Sequence, residues 1–274
     1  MTDRYAVIGN PIAQSKSPII HAAFARQLGH DLSYERILAT HEDFEQVVRA
    51  FAASGGRGMN VTAPFKLAAM ALSDQLSERA QVAQAVNTLS FTADGILGDN
   101  TDGYGLVHDI RERLKVQLTG RRVLLVGAGG AARGVLLPLL QADLAGLLVV
   151  NRSADRAEAL VAPWKSRYPV SAGGLDGARG QQFDVVVNAT STGLSDTAVD
   201  LGMGIYAPGA VAYEMVYGRE TAFMAEARAQ GAEVVTDGLG MLVGQAAESY
   251  RIWRGVMPDM APVWRALSEA APQS

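Results

Sequence analysis

A lysine that follows a rigid bend is the first residue in this chain whose type and position could do chemistry. Pro64 fixes its own φ angle and biases Ala63 towards extended geometry. The chain therefore leaves a predicted strand at Met59–Thr62 in a bend and delivers Lys66 at the start of the next helix. A lysine held in this way can donate or accept a proton. On this segment alone, a solvent-facing lysine is the simpler interpretation, because most lysines are exposed.

A polar cluster around Asp102 supplies a candidate partner for that lysine. The run from Gly98 to Gly103 contains two aspartates, Asp99 and Asp102, and either one alone would more often cap a turn or a helix. A lysine beside a carboxylate can relay a proton to or from a hydroxyl while a nicotinamide carries the hydride. We therefore predict Lys66 and Asp102 as a catalytic pair that needs no metal.

A glycine-rich turn predicts where the nicotinamide cofactor binds. The segment Gly127–Ala132 matches the G-x-G-x-x-G/A dinucleotide pattern and lies between a predicted strand and a predicted helix, as that motif requires. Gly127 permits a tight turn, and Gly129 lets the backbone approach a pyrophosphate at the N-terminus of the helix. The cofactor-binding residues predicted in this turn are Gly127, Ala128, Gly129, Gly130 and Ala131.

The residues after the next strand indicate which dinucleotide is bound. NAD sites place a carboxylate about 20 residues beyond the glycines to hold the ribose 2′-hydroxyl. Here the strand ends in Asn151, Arg152 and Ser153, and Arg156 follows one turn later. Two guanidinium groups suit a 2′-phosphate, because arginine binds phosphate oxygens through charge-assisted hydrogen bonds. We therefore predict NADP as the cofactor.

The elements that must position these residues follow an α/β pattern. Short apolar strands alternate with helical segments. We predict an α/β fold with two domains: an N-terminal substrate domain, residues 1–102, and a doubly wound Rossmann-type NADP-binding domain, residues 103–239. A last helix near Gly240–Gly255 is expected to return to the first domain, which residues 240–274 would complete.

Composition excludes several classes of protein. The 274 residues carry 24 Lys and Arg against 28 Asp and Glu, a net charge of −4, which lacks the basic footprint of nucleic-acid binding. The absence of cysteine removes disulfides and thiolate metal sites, and the four histidines show no metal-ligand spacing. We find no signal-peptide pattern and no apolar run near the length of a membrane span. A cytoplasmic monomer or homodimer with a small-molecule substrate, no metal, no nucleic acid and no membrane partner is expected.

Eight segments in order along the chain resemble the shikimate dehydrogenase family. Besides the glycine turn and Asn151–Ser153, they are Gly9–Pro18, Asn60–Lys66, Ala85–Leu89, Asp99–Gly103, Asn188–Gly193 and Asp237–Ala247. The resemblance implies NADPH-dependent reduction of 3-dehydroshikimate to shikimate, in the pathway to aromatic amino acids. It also implies substrate contacts from Ser15, Ser17, Thr62, Asn87, Asp102, Tyr217 and Gln245, with Lys66 as the acid/base. Thr190, Met215 and Gly238 would bind the cofactor.

Three departures from the family pattern concern the substrate loop and the tyrosine. Gln14 stands where the family often has histidine, and Glu214 replaces the usual aspartate of its D-x-x-Y element. The loop Gly218–Thr221 is one residue short and lacks the usual proline. Two of the three departures, Glu214 and the short loop, thus flank Tyr217.

Alternatives from other classes remain open at this point. A broader quinate/shikimate dehydrogenase would share the fold, although Arg152 and Arg156 argue against a preference for NAD. A folate-linked methylene dehydrogenase would not need the Ser15 and Ser17 loop. A noncatalytic NADP-binding regulatory module would not need both Lys66 and Asp102, and measured turnover would separate it from an enzyme.

Overall fold

The computed structural model describes residues 2–190 and 198–270, which form two compact units. Unit 1 consists of residues 2–105 with Leu242–Ser268, and unit 2 consists of the described residues between Leu106 and Met241 with residues 269 and 270. Apart from the crossing after Ser268 near its end, the chain passes from one unit to the other inside two helices. That these units are a substrate domain and a cofactor domain stays a prediction here.

Unit 1 is built on a mixed six-stranded sheet. Its strands are β1 (Asp3–Gly9), β2 (Leu32–Leu38), β3 (Gly56–Val61), β4 (Gln75–Leu76), β5 (Thr88–Thr92) and β6 (Gly95–Asp99). Their order is β2-β1-β3-β5-β6-β4, with β5 antiparallel to both of its neighbours. Because β5 runs backwards, its first residue and the last residues of β1, β3 and β6 lie at the same edge of the sheet.

Helices cover this sheet and close its core. They are α1 (Ser17–Leu28), α2 (Phe44–Ala53), α3 (Lys66–Leu72), α4 (Glu78–Ala83) and α10 (Ala261–Glu269). In α2, the buried Phe44, Val48 and Phe51 recur at helical spacing and face the strand residues Ile8 and Met59 in one apolar cluster.

Unit 2 has a parallel six-stranded sheet with the Rossmann strand order. Its strands are β7 (Arg122–Val126), β8 (Gly146–Val150), β9 (Val170–Gly173), β10 (Phe183–Asn188), β11 (Tyr206–Glu214) and β12 (Val234–Thr236), with helices α6 (Gly130–Leu140), α7 (Ala154–Val161) and α8 (Ala222–Ala229). The order β12-β11-β10-β7-β8-β9 reverses direction between β10 and β7, the switch point at which dinucleotides bind in such sheets.

The aliphatic run of β7 explains why this sheet is covered on both faces. Val123 and Leu125 pack into one apolar cluster, and Leu124 and Val126 pack into another. Successive side chains of a strand point to opposite faces, so an uninterrupted apolar run requires burial on both. The predicted two-domain α/β fold with a doubly wound domain is confirmed.

Two helices carry the chain between the units. α5 (Asp102–His108) begins in unit 1 and ends in unit 2, and α9 (Leu239–Arg254) begins in unit 2 and continues in unit 1. α5 is followed by one π-helical turn at Asp109–Arg113. None of the helices within residues 2–190 and 198–270 is long and apolar enough to cross a membrane.

Candidate active site

Lys66 and Asp102 form an ion pair at the sheet edge of unit 1. The distance from Lys66 Nζ to Asp102 Oδ2 is 2.5 Å, and the side chains are 28% and 9% exposed. Lys66 is the first residue of α3 and Asp102 the first residue of α5. A carboxylate in the first turn of a helix is stabilised by the helix dipole. The two predicted catalytic residues are therefore in contact, 36 positions apart in sequence.

The backbone around Lys66 is held by packing as well as by the bend. Phe65 is 1% exposed and stacks on Phe44 with ring centroids 4.8 Å apart. The carbonyl oxygen of Lys66 accepts a hydrogen bond from the backbone N–H of Val86 at 3.0 Å. Since these contacts involve no atom of the lysine side chain, the ammonium group stays available for other partners.

Asn87 connects the ion pair to the segment that precedes α5. Its Nδ2 donates to Asp102 Oδ1 at 2.8 Å, and its Oδ1 accepts from the backbone N–H of Thr101 at 2.9 Å. Asn100 Oδ1 in turn accepts from the backbone N–H of Asp102 at 3.1 Å. Both oxygens of the Asp102 carboxylate therefore have donors, which orients the group.

Gln245, on α9, lies beside Asn87 and Thr101, next to the ion pair. Thr101 Oγ1 lies 3.4 Å and Asn87 Nδ2 3.5 Å from Gln245 Oε1, while Gln245 Nε2 donates to the carbonyl of Leu242 at 2.9 Å. Ser249, one turn along the same helix, lies 3.2 Å from Thr101 Oγ1. Neither Thr101 nor Ser249 was among the site residues predicted from the sequence. The polarity of Thr101, next to Asp102, was the only available signal.

Ser15, Ser17 and Thr62 lie at the same edge of the sheet. Thr62 directly follows β3, and its methyl group fills the place where a Cβ on Gly9 would come within 2.4 Å. Ser15 Oγ accepts from the backbone N–H of Ser17 at 3.3 Å. Gln14, one of the departures from the family pattern, is exposed and donates to the carbonyl of Pro11 at 3.3 Å. It therefore leaves the serine loop in place.

An ion network links α4, β6 and α9 beside the cluster. Arg79 donates from Nε and Nη2 to the two oxygens of Asp99 at 2.6 and 2.9 Å, and its Nη2 lies 2.8 Å from Glu248 Oε1. Arg251 pairs with Glu248 from the other side at 2.7 Å. Burial opposes ionisation of Asp99 and Glu248, but the guanidinium groups outweigh it and hold the pKa of each carboxyl below its usual range.

In unit 2, the glycine turn has the geometry that the motif requires. Gly127 has a φ of 112°, a conformation that favours glycine, and its N–H donates to the carbonyl of Val150 at 2.7 Å. A Cβ at Gly129 or Gly130 would meet no atom within 4 Å. Packing within the protein therefore does not require glycine at these two positions, and at Gly129 the missing side chain leaves room for a phosphate to approach the N-terminus of α6.

Arg152 and Arg156 are exposed at the carboxyl end of β8. Within the described part of the chain, neither guanidinium pairs with a carboxylate. Asn151 Nδ2 donates to the carbonyl of Ser153 at 3.0 Å, and the N–H of Arg156 bonds the same carbonyl at 3.2 Å. The loop is thus ordered by its own backbone, and both cations remain available to an anion.

Thr190, Met215 and Gly238 lie near one another after β10, β11 and β12. Thr190 Oγ1 donates to Asn188 Oδ1 at 2.7 Å. A Cβ on Gly238 would come within 2.2 Å of the carbonyl oxygen of Met215, so only glycine fits there. Of the predicted segment Asn188–Gly193, residues 191–193 lie outside the described residues.

Glu214 is buried and fully hydrogen-bonded, although it departs from the family pattern. It accepts from Asn188 Nδ2 at 2.7 Å, from Thr221 Oγ1 at 3.1 Å and from the N–H of Val216 at 3.0 Å. Burial raises its pKa, and these donors oppose that shift. The longer side chain thus fastens both ends of the short loop that contains Tyr217. Tyr217 itself is half-buried, and burial raises the pKa of its hydroxyl.

No group of three or more acidic or histidine side chains within residues 2–190 and 198–270 could hold a metal ion.

Comparison with known proteins places both units in one family. The family "Shikimate dehydrogenase substrate binding domain" matches residues 7–89, "Shikimate / quinate 5-dehydrogenase" matches 109–196, and "Shikimate 5'-dehydrogenase C-terminal domain" matches 238–267. A relative from Aromatoleum aromaticum named "Shikimate dehydrogenase (NADP(+))" is 56% identical over 97% of this chain and 96% of its own length.

Solved structures agree with this. An Ael1 enzyme from Pseudomonas putida is 46% identical with a TM-score of 0.90, over 97% of this chain and 98% of its own. A shikimate 5-dehydrogenase from Thermus thermophilus, solved in complex with NADP(H) and shikimate, is 34% identical with a TM-score of 0.87, over 98% of this chain and 100% of its own. The chain belongs to the shikimate dehydrogenase family.

Proposed function

We propose that this protein catalyses the reversible NADPH-dependent reduction of 3-dehydroshikimate to shikimate in aromatic amino acid biosynthesis. The observation that carries the proposal is the contact between Lys66 and Asp102, with Asn87 and Gln245 beside it, in a chain of this family. A noncatalytic NADP-binding module would have no use for a lysine held in this way.

The proton is assigned to Lys66. In the reduction, the substrate carbonyl carbon gains a hydride and its oxygen gains a proton, and the chemistry that NADPH supplies when bound is the hydride. An ammonium group has three donors, and Asp102 uses one of those on Lys66. Asp102 already accepts from Lys66 and Asn87 through its two oxygens, so its part is to orient the ammonium and to accept from a ring hydroxyl.

Neutral polar side chains would hold the rest of the substrate. Ser15 and Ser17 would bind the carboxylate, and Thr62, Asn87, Gln245 and Tyr217 would bind ring hydroxyls. Shikimate carries several hydroxyls and one carboxylate, and hydroxyl and amide groups supply donors and acceptors without adding charge.

The residues of unit 2 fit NADP. The turn Gly127–Ala131 would receive the pyrophosphate at the N-terminus of α6, and Asn151, Arg152, Ser153 and Arg156 would hold the 2′-phosphate. Thr190, Met215 and Gly238 would line the nicotinamide. The support is the open space above Gly129 and Gly130 and the two arginines without a carboxylate partner among the described residues.

The proposed activity is tested by incubating the purified protein with shikimate or quinate and with NADP or NAD, and by following the nicotinamide absorbance. Shikimate with NADP is expected to give the highest kcat/KM of the four combinations. Comparable turnover of quinate would instead identify a broader quinate/shikimate dehydrogenase. No turnover in any combination would leave a binding module as the function. We also propose that the protein is a cytoplasmic monomer or homodimer.

Replacing Arg152 with aspartate is expected to change the choice of cofactor. Charged hydrogen bonds are worth roughly 1.5–3 kcal/mol, so kcat/KM with NADP should fall by about 10–100-fold, whereas kcat/KM with NAD should fall far less or rise. Arg167→Asp makes the same charge change at another exposed position of unit 2 and should leave the NADP/NAD ratio unchanged. Equal losses with both cofactors in Arg152→Asp would refute the 2′-phosphate assignment.

A further inference from the structure

Arg36 is tied directly to the loop that is expected to hold the substrate carboxylate. Its Nε and Nη2 both donate to the carbonyl oxygen of Ser15, at 2.9 and 2.6 Å. Arg36 lies on the edge strand β2 and is exposed, and no carboxylate within the described residues pairs with it. A guanidinium that donates two hydrogen bonds to one backbone carbonyl keeps its positive charge, and its other N–H groups can still donate hydrogen bonds.

The strand places Arg36 on the side of the sheet that α1 covers. Tyr34, two residues earlier and therefore on the same face of β2, stacks on His21 of α1 with ring centroids 4.2 Å apart. The first residue of α1 is Ser17, the second expected carboxylate contact. The guanidinium is thus held beside the N-terminal end of this helix, where both serines lie.

The two serines expected to bind the substrate carboxylate carry no charge, and the cations nearest to them are Arg36 and Lys16, the residue between them in sequence. Ser15 and Ser17 are neutral, and moving a carboxylate out of water onto neutral groups is unfavourable unless a cation compensates for it. Lys66 is neutralised by Asp102 at 2.5 Å. His21, the basic side chain that packs on Tyr34, is buried, which lowers its pKa to about 3 and leaves the ring uncharged near neutral pH.

We propose that Arg36 is a specificity-determining residue whose positive charge, held at the Ser15 carbonyl, makes the site prefer a carboxylate to a neutral group. The inference rests on the proposed function and on the expected contacts of Ser15 and Ser17. From its bonds to the Ser15 carbonyl, the guanidinium would lie about 5–8 Å from a carboxylate on the Ser15 hydroxyl. Because the guanidinium is exposed to water, an effective dielectric constant of about 40–80 applies, and one charge at that distance changes affinity for an anion by about 3- to 10-fold.

The experiment compares two substrates that differ only in charge, shikimate and its primary carboxamide. The measured quantity is the ratio of kcat/KM for the acid to kcat/KM for the amide, with NADP saturating. In Arg36→Gln this ratio is expected to fall by about 3- to 10-fold relative to the unchanged protein. A residue that only held the Ser15 carbonyl would weaken both substrates alike and leave the ratio where it was.

Two further variants separate charge from positioning. Arg36→Lys keeps the charge but loses the paired bonds to the Ser15 carbonyl, so both substrates should become poorer while the ratio stays within about twofold. Arg26→Gln makes the same charge change near the other end of α1, about 13 Å away along the helix, and should leave the ratio within about twofold.

Salt provides a measurement on the unchanged protein. The ratio should fall as ionic strength rises from about 0.02 to 0.5 M, because exposed charges are screened over a few ångströms at high salt. The salt response should be smaller in Arg36→Gln. If the ratio were unchanged in an active Arg36→Gln, lost in Arg36→Lys or insensitive to salt, this proposal would be wrong while the proposed function stood. If the unchanged protein did not oxidise shikimate, both would be overturned.

Discussion

Lys66→Ala is expected to lower kcat for shikimate oxidation by about 10²–10⁴-fold, the usual contribution of a positioned acid/base group. Binding of shikimate should weaken much less, because the hydroxyl and amide groups around the site remain. The fold should survive, since the contacts of Phe65 and the Lys66 carbonyl do not involve the lysine side chain. Single-turnover rates and direct titration of shikimate separate the two effects.

A matched control exists in unit 2. Lys165 also lies 2.5 Å from a carboxylate, that of Glu158, but both side chains are nearly half exposed. Lys165→Ala should therefore leave kcat and KM unchanged, because exposed ion pairs contribute little. A folded Lys66→Ala protein with the turnover of the Lys165→Ala control would show that the lysine is not the acid/base.

Arg79→Met is expected to destabilise the protein by about 2–4 kcal/mol, a loss typical of removing one partner from a largely buried ion pair. Asp99 and Glu248 would then keep charges with fewer donors, in side chains that are 19% and 3% exposed. Arg49→Met is the control: Arg49 pairs with the exposed Glu45 in the same unit, and its loss should cost less than about 0.5 kcal/mol. Urea unfolding followed by tryptophan fluorescence reports mainly on unit 1, which contains Trp253 and Trp264.

The pH dependence distinguishes this ion network from simple packing. The carboxyl pKa values of Asp99 and Glu248 are below their ordinary values of 3.8 and 4.5 in the folded protein. A lowered pKa in the folded state contributes stability above the unfolded pKa, and that contribution is lost as pH falls through the folded one. The difference in unfolding free energy between the unchanged protein and Arg79→Met should therefore be constant near neutral pH and shrink below about pH 4. A gap independent of pH would mean that Arg79 acts through packing alone.

The turns and helix starts that depend on neighbouring residues were predictable from the sequence. Pro64 and its effect on Ala63 predict a bend, and α3 begins at Lys66 as expected. The turn at Gly127 follows a buried aliphatic strand, so the Rossmann-type unit was also predictable from the sequence. The sequence also showed that Glu214 replaces the usual aspartate of the family pattern, but it did not show which groups the glutamate would contact. Only the structure shows that its longer side chain reaches Thr221 across the short loop.

The hairpin of β5 and β6 was missed because its strands are short and Gly95 and Gly98 interrupt the apolar pattern. That hairpin reverses β5 and thereby brings Asn87 to the edge where Asp102 lies. Sequence patterns report periodicity over a few residues, whereas the neighbours of a strand depend on the order of the whole sheet.

Long-range partners were decided by the tertiary structure alone. Family resemblance named Asn87 and Gln245, but nothing in the residues near either one indicates that they meet across 158 positions. Arg36 and Arg79 looked like ordinary charges on a strand and a helix, and only their contacts with Ser15 and Asp99 distinguish them. Residue types and motif spacing were enough to predict the candidate catalytic side chains and NADP as the cofactor. The folded sheet decided which of them lie together, because those contacts form only when segments distant in sequence pack against one core.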